Sequence, residues 1–258
     1  MYPDLFSIGP LTLHSYGLFA ALGFAVGLLV TLKIGKKQGV SVKRIMDMGF
    51  IVILGAIIGS RAAFVLMNFS YYKTLPLDIF KVWEGGLVFS GGLITVLLFM
   101  GLYLRHHHLS YWTIGDLWAP GIALGQGIGR IGCFMAGCCY GLPTKVKWGV
   151  IFSNPDSLAP LYIPLHPTQL YSALSGLIIF LVLMFLQSKK QFKGRILIWF
   201  LILHSTGRLL IERFRGDDRG LIPGTEMGTT QLIALLILMA SVGTLIWLKS
   251  RDEEGHSS

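Results

Sequence analysis

Long apolar runs separated by short polar segments dominate the chain. About seven of these runs are long enough to cross a bilayer, since a spanning helix needs roughly 17–25 mainly apolar residues. The runs are Ser15–Leu32, Met46–Met67, Leu87–Leu104, Ile114–Met135, Leu170–Leu186, Ile196–Ile211 and Thr230–Leu248. The pattern predicts an all-α integral membrane protein, a bundle of about seven transmembrane helices.

The composition agrees with this class. Of the 258 residues, 53% are hydrophobic and 14% are charged, whereas a typical soluble domain has about 25% charged residues. The net charge of +9 is therefore interpreted through the loops and not as a nucleic-acid-binding surface. We expect a single transmembrane helical domain over residues 1–250 and a disordered cytoplasmic tail over 251–258.

The loops differ in their content of lysine and arginine. Basic residues fill the first and fifth loops and follow the last span, for example Lys36, Lys190 and Arg251, while the second, fourth and sixth loops are mixed in sign. By the positive-inside rule, the N-terminus is outside and the C-terminus is in the cytoplasm. An odd number of spans agrees with this orientation.

The most informative segment is the glycine-rich run from Gly125 to Gly141, which carries one arginine, Arg130. An arginine at membrane depth costs roughly 2.5–3.5 kcal/mol even on the mildest insertion scale, so it usually has a partner or a function. A guanidinium matches phosphate oxygens in pairs, and glycines let a ligand approach the backbone. We expect Arg130 to bind a lipid phosphate. The alternative is a closely packed helix pair whose arginine extends to the interface.

Glycines also flank the start of the third span, in the sequence Trp83-Glu-Gly-Gly-Leu-Val-Phe-Ser-Gly-Gly92. Turn-forming residues at this point indicate a broken or re-entrant helix start. The alternative is a flexible linker without function.

Before the fifth span, the segment His166-Pro-Thr-Gln-Leu-Tyr171 indicates a rigid positioning element. Pro167 is tolerated at a helix start, and Thr168 or Gln169 can cap the first turn. His166 is more typical of a hydrogen-bonded residue at such a start than of a base, although histidine titrates near neutrality.

The sixth span ends with Arg208, Glu212 and Arg215. Their spacing of i, i+4 and i+7 predicts one polar face of a helix, on which Glu212 holds Arg208 toward the interior. Alternatively, Glu212 and Arg215 are interfacial and only Arg208 is buried.

The three cysteines, Cys133, Cys138 and Cys139, lie within seven residues. They can be small buried hydrophobes, or Cys133 and Cys138 can form a disulfide in an oxidising location. A zinc site is weakly indicated, because the spacing is unusual for zinc, and we predict no metal. The histidine run within Arg105–Leu109 is interpreted as a solvated loop, with adventitious metal binding as the alternative.

Together these segments resemble the prolipoprotein diacylglyceryl transferases of bacteria, over nearly the whole chain. The resemblance is carried by Ser15-Tyr-Gly17, Trp83-Glu-Gly-Gly86, Gly91-Gly92, Gly129-Arg-Ile-Gly132, His166-Pro-Thr-Gln-Leu-Tyr171 and Arg208-x-x-x-Glu212-x-x-Arg215. It implies a seven-span enzyme of the bacterial inner membrane with its active site toward the periplasmic face. Such enzymes move a diacylglyceryl group from phosphatidylglycerol to the lipobox cysteine thiol of a prolipoprotein signal peptide in lipoprotein biogenesis. Phosphatidylglycerol, signal peptides and membrane lipids are thus the implied partners, without nucleic acid or a cofactor.

The resemblance also implies site residues. The expected catalytic residues are Tyr16, Arg130, Arg208 and Glu212. The expected substrate-binding residues are Arg130, Gly129, Gly132, Ser90, Gly91, Gly92, His166, Gln169 and Arg215.

The chain departs from the family pattern at two places. Ser90 stands where the family usually has a histidine, and Cys133, Ala136 and Cys138 replace asparagines and a glutamate. These departures leave three alternatives: a base at another position, a divergent paralogue with a different acceptor, or a lipid-binding or transport protein of the membrane without catalysis.

Overall fold

The computed structural model describes residues 1–8, 11–188, 192–217, 220 and 228–256, and most of them are helical. The described helices are α1 (Ser15–Lys37), α2 (Val42–Met67), α3 (Phe69–Thr74), α4 (Phe89–His106), α5 (Tyr111–Ala136), α6 (Thr168–Gln187), α7 (Arg195–Glu212) and α8 (Thr229–His256), with 3-10 helices at Pro76–Phe80 and Val82–Glu84. Two antiparallel pairs complete the fold, β1 (Asp4–Ile8) with β2 (Leu11–His14) and β3 (Val150–Ile151) with β4 (Pro164–Leu165).

Seven of these helices coincide with the predicted apolar runs. Five of them, α1, α2, α4, α6 and α8, are long and apolar enough to cross a membrane. The remaining two, α5 and α7, are more polar: α5 contains six glycines and Arg130, and α7 contains three charged residues. The protein is therefore a mostly helical membrane protein, as predicted, while the count of seven spans stays a prediction.

The described residues form two compact units, one comprising 1–31 and 115–258 and the other 32–114. The expectation of a single domain over residues 1–250 stays a prediction. Helix α8 continues to His256, inside the segment 251–258 for which the sequence predicts disorder, and Ser257 and Ser258 lie outside the described residues.

In the first unit, glycines bring α1 and α5 into backbone contact. A Cβ atom added at Gly125 would lie 2.5 Å from the carbonyl oxygen of Gly23, and one added at Gly27 would lie 2.7 Å from that of Gly121. Only residues without a side chain permit such an approach.

The same unit packs α6 and α7 against α5 through apolar side chains. The buried core there comprises Ala119, Ala123, Ile179, Leu183, Ile196 and Phe200. The Asp116 carboxylate of α5 accepts hydrogen bonds from the backbone N–H groups of Gly194 (2.6 Å) and Leu197 (2.8 Å) at the start of α7. A negative charge at a helix N-terminus is stabilising, so this contact fixes where α7 begins relative to α5.

In the second unit, an arginine that the sequence analysis did not single out organises the loop before α4. Arg61 of α2 is 7% exposed. Its guanidinium donates to the carbonyl oxygens of Asp78 (2.5 Å), Ile79 (2.9 Å), Gly85 (2.8 Å) and Gly86 (3.3 Å). Phe64 and Tyr72 place their rings within 5.9 and 5.4 Å of its Cζ atom, a distance at which a cation is attracted to an aromatic face.

We expect Gly125→Ala to lower the thermal unfolding midpoint in detergent. Overpacking typically costs about 1–3 kcal/mol, which exceeds the gain of about 1 kcal/mol that alanine brings to a helix. The matched control is Gly243→Ala in α8, where a Cβ atom meets nothing within 4 Å. An unchanged midpoint in Gly125→Ala would contradict the close packing of α1 and α5.

We also expect Arg61→Lys to lower the midpoint, because an ammonium group cannot reach four carbonyl oxygens at once. Each hydrogen bond to a charged group contributes about 1.5–3 kcal/mol, and the loss of two or more should be measurable. Arg105→Lys, at an exposed position in α4, serves as the control. Equal midpoints in the two variants would refute the structural role of Arg61.

Candidate active site

The glycine-rich run ends in a turn that folds back on α5. The helix stops at Ala136, and Gly137 follows with φ +77°, a conformation that favours glycine at a helix C-terminus. Cys139 also has a positive φ of 59°. The turn returns the chain toward α5, so the thiol of Cys138 lies 3.7 Å from the carbonyl oxygen of Cys133.

The first turn of α6 holds this loop. The Thr168 hydroxyl donates to the carbonyl oxygen of Cys139 (2.7 Å), and the Gln169 amide donates to that of Cys138 (2.8 Å). The predicted capping role is wrong, because both side chains donate to the loop, whose partly buried carbonyl oxygens need donors. Pro167 is the N-cap residue, not the first helical one. The segment is a positioning element, as predicted.

His166 belongs to the same hydrogen-bonded assembly. Its backbone N–H donates to Leu142 (3.0 Å), and its carbonyl oxygen accepts from Gly141 (3.1 Å). Its Nδ1 atom lies 3.2 Å from the hydroxyl oxygen of Tyr171, which accepts from the Trp148 indole at 2.8 Å. These contacts agree with the interpretation of His166 as a hydrogen-bonded residue at the start of α6.

At the end of α7, Arg208 and Glu212 form the predicted ion pair, with Nη2 and Oε2 2.7 Å apart. The hydroxyl of Thr230 donates to the other oxygen of Glu212 at 2.8 Å. Arg215 lies beyond the end of α7 at Glu212, so it does not continue their helical face, yet its Nε atom is 4.0 Å from Oε2 of Glu212. It is nevertheless buried, at 8% exposure, and its guanidinium binds both oxygens of Asp217 at 2.8 Å.

The backbone explains why the helix stops before Arg215. Residues 214–216 pair with the loop after α5: Leu142 donates to Phe214 (2.8 Å), and Gly216 donates to Tyr140 (3.1 Å). The segment leaves the helix to satisfy these loop groups, so the loop is held by both α6 and the end of α7.

Arg130 and Arg208 line one small cavity, which we call the arginine cavity. It has a volume of about 30 Å³, and roughly 10–15 Å³ is enough to hold one water molecule. Its walls come from α5, α6 and α7: Gln126, Arg130, Ser172, Ser175, Gly176, His204, Gly207, Arg208 and Ile211. Two residues predicted separately from the sequence therefore face the same space.

Arg130 is the least compensated arginine of this site. Within the described part of the chain, its side chain makes one hydrogen bond, from Nη1 to the Cys139 thiol at 3.6 Å. Sulfur is a weak acceptor, while a guanidinium carries five N–H donors. The side chain thus retains the capacity to bind an anionic ligand.

The three cysteines converge beside Arg130. Their sulfur atoms all lie within 4.8 Å of one another, and we call this group the thiol cluster. All three are free thiols, so the disulfide considered between Cys133 and Cys138 is not formed. Hydrogen bonds with Cys133 and Cys138, together with the Arg215 guanidinium, hold the pKa of the Cys139 thiol below its ordinary value.

The remaining predicted residues of the first unit lie around α5. A Cβ atom added at Gly132 would lie 3.2 Å from the Cα atom of Tyr16, so the start of α1 approaches the end of α5 there. The Tyr16 side chain itself is 51% exposed. A Cβ atom at Gly129 would meet nothing within 4 Å, which leaves open space beside Arg130.

Ser90, Gly91 and Gly92 lie in the second unit, in the first turn of α4. Ser90 is exposed. A Cβ atom at Gly91 would lie 2.5 Å from the carbonyl oxygen of Gly59, and one at Gly92 would lie 2.9 Å from that of Ala56. These two glycines therefore allow α4 to pack against α2. The expected break precedes them, at Gly85 and Gly86, where φ is positive.

His204 and Gln126 also line the arginine cavity, although neither is among the residues predicted from the sequence. The signal was present: His204 precedes Arg208 by four residues, and Gln126 precedes Arg130 by four. Residues four apart share a helical face. The helical spacing alone therefore predicts that His204 lies beside Arg208 and that Gln126 lies beside Arg130.

Comparison with known proteins shows the family of this chain. A sequence model of the prolipoprotein diacylglyceryl transferase family matches residues 3–247. Similar proteins named phosphatidylglycerol–prolipoprotein diacylglyceryl transferase occur in Clostridium tetani (34% identical over 242 residues, 94% of this chain and 96% of that protein) and Bordetella avium (39% identical over 229 residues, 86% and 85%). A third, from Nitrosospira multiformis, is 36% identical over 252 residues (95% and 86%). The chain belongs to the prolipoprotein diacylglyceryl transferase family.

Proposed function

We propose that the protein transfers a diacylglyceryl group from phosphatidylglycerol to the lipobox cysteine thiol of a prolipoprotein signal peptide. The names of its relatives describe this transfer. The observation that supports it most in this chain is the arginine cavity, where Arg130 and Arg208 come together. The bond that breaks joins the glyceryl carbon to a phosphate oxygen, and the bond that forms joins that carbon to sulfur.

In this reaction the phosphate becomes the leaving group. Negative charge develops on its bridging oxygen, and preorganised cations beside that oxygen lower the barrier. Arg130 supplies guanidinium N–H donors, of which one is hydrogen-bonded to the Cys139 thiol within the described residues. Glu212 positions Arg208 through the 2.7 Å ion pair. Because two guanidinium groups line the cavity, it is suited to phosphate oxygens, and the acyl chains belong outside it.

The acceptor thiol must also lose a proton, since the thiolate is the nucleophile. His204 is suited to accept it: among the described residues that line the cavity, it alone has a side chain whose ordinary pKa, about 6.5, lies near neutrality. The two guanidinium groups further favour the thiolate. This assignment gives the reaction a base although Ser90 replaces the loop histidine of the family.

We further propose that the chain crosses the bacterial inner membrane seven times, with its N-terminus outside. Helices α5 and α7 would be the two additional spans, made less apolar by the residues of the cavity. The site would face the periplasmic side, where lipoprotein precursors emerge. Phosphatidylglycerol, signal peptides and membrane lipids are its proposed partners.

The direct test combines the purified protein, phosphatidylglycerol vesicles and a synthetic lipobox peptide. We expect a lipidated peptide, detected by mass spectrometry, and release of glycerol phosphate. Binding of phosphatidylglycerol without transfer would instead support a lipid-binding or transport protein.

Arg130→Lys should lower kcat by roughly 10²–10³-fold, the loss typical when one preorganised donor is removed. A lysine keeps the charge but not the planar fork. Arg44→Lys, at an exposed position in α2, is the control. Normal turnover in Arg130→Lys, with an unchanged unfolding midpoint, would exclude the phosphate-binding role.

His204→Gln should lower kcat/KM on the order of 10²-fold, in the range of general-base contributions. In the unsubstituted protein, kcat/KM should rise as the pH rises through the histidine pKa, because only neutral imidazole accepts a proton. That rise should disappear in the variant. Thr206→Ala, at an exposed position two residues along α7, should retain the profile. An unaltered pH profile in His204→Gln would show that His204 is not the base.

Membrane-impermeant thiol reagents test the orientation, in a variant whose three cysteines are replaced by alanine. A cysteine at the exposed position Pro155 should react from outside, and one at the exposed position Gln38 should not. Labelling of Gln38→Cys in intact cells would contradict the proposed orientation and place the first loop outside.

A further inference from the structure

We propose that the thiol cluster, Cys133, Cys138 and Cys139, binds one thiophilic metal ion of the Cu(I) class. The sequence predicts no metal, yet the fold brings three soft ligand atoms together within 4.8 Å. This binding site lies beside the arginine cavity and shares Arg130 with it, but the metal binding does not depend on the proposed transfer chemistry.

The spacing of the sulfur atoms suits a three-coordinate ion. Metal–sulfur bonds of about 2.3 Å arranged as a flat triangle separate the sulfur atoms by about 4 Å. The observed upper limit of 4.8 Å is therefore within about 1 Å of the bound arrangement. Side-chain rotation can supply a movement of this size without changing the backbone.

The backbone that carries these thiols is fixed. Cys133 lies in the last turn of α5, and the turn at Gly137 returns Cys138 and Cys139 to it. Gln169 and Thr168 hold the carbonyl oxygens of Cys138 and Cys139 at 2.8 and 2.7 Å. A site whose ligands are held in place by neighbouring hydrogen bonds loses less entropy when it binds.

The number and type of ligands favour Cu(I). Thiolates select soft ions such as Cu(I) and zinc, but structural zinc takes four protein ligands. Within the described ranges, the cluster comprises three cysteines without a histidine or carboxylate. Three ligands satisfy Cu(I), and the three thiols release their protons on binding.

Charge compensation supports the same ion. One Cu(I) with three thiolates carries a net charge of −2. The guanidinium of Arg130 lies 3.6 Å from the Cys139 sulfur, and that of Arg215 interacts electrostatically with Cys139. Two cations next to the cluster offset this charge, and they make the surroundings unlike the apolar packing in which a cysteine behaves as a small hydrophobe.

The chain makes the test selective, because its only three cysteines form the cluster. The purified full-length protein is reduced in detergent and titrated with Cu(I) against a chromophoric Cu(I) chelator. Thiolate-to-copper charge-transfer absorption reports the bound ion. We expect one Cu(I) per chain, and a loss of affinity on the order of tenfold or more in each of Cys133→Ser, Cys138→Ser and Cys139→Ser.

The control addresses the other candidate ligands, the histidines of the run His106–His108. Their triple alanine variant should bind Cu(I) like the unsubstituted protein. Unfolding midpoints identify variants that fail to fold, and Cys133→Ala replaces Cys133→Ser if the buried hydroxyl destabilises the protein.

Several results would overturn the proposal. They are the absence of charge-transfer absorption, a stoichiometry other than one, an affinity that depends on only two of the cysteines, or a loss in the histidine variant. Tight binding of zinc in preference to Cu(I) would likewise refute the assigned class of ion. All these readouts are independent of the transferase assay, so failure of the proposed reaction would leave them interpretable.

Discussion

A guanidinium group can be held among apolar helices only where acceptors or negative charges surround it. The described part of the chain meets this requirement in different ways. Arg61 is satisfied by four backbone carbonyl oxygens, Arg208 pairs with Glu212, and Arg215 pairs with Asp217. Arg130 has the weak Cys139 thiol. The degree of compensation separates Arg61, which organises a loop, from Arg130, which we propose to bind a ligand.

Apolar periodicity and isolated charges predicted much of this architecture. The long helices, the ion pair of Arg208 with Glu212 and the functional interest of Arg130 all follow from local sequence, because each depends on residues within one helix or on the cost of burying a charge. The role of Thr168 and Gln169 could not be predicted, since their acceptors are 29 and 31 residues away in the chain.

Arg61 and Arg215 show two other limits of sequence reasoning. Arg61 lies within an apolar run, and its acceptors are backbone groups, which leave no trace in the sequence. Arg215 follows Glu212 at helical spacing, but the competing backbone pairing with residues 140–142 ends the helix first. Hydrogen bonds between residues distant in the chain therefore determine the surroundings of both arginines.

If α5 and α7 span the membrane, as we propose, their polarity has a consequence for how the protein enters it. Insertion of an isolated arginine into the bilayer costs roughly 2.5–3.5 kcal/mol. Unlike α6, neither α5 nor α7 is among the helices that are apolar enough to cross a membrane. Helix α6 lies between them in the chain, and it lines the arginine cavity together with residues of α5 and α7. Insertion of the three helices as one cooperative unit would let the polar side chains meet before they face lipid. In such an insertion, the same polar groups that we propose to bind a phospholipid would make these helices depend on their neighbours during biogenesis.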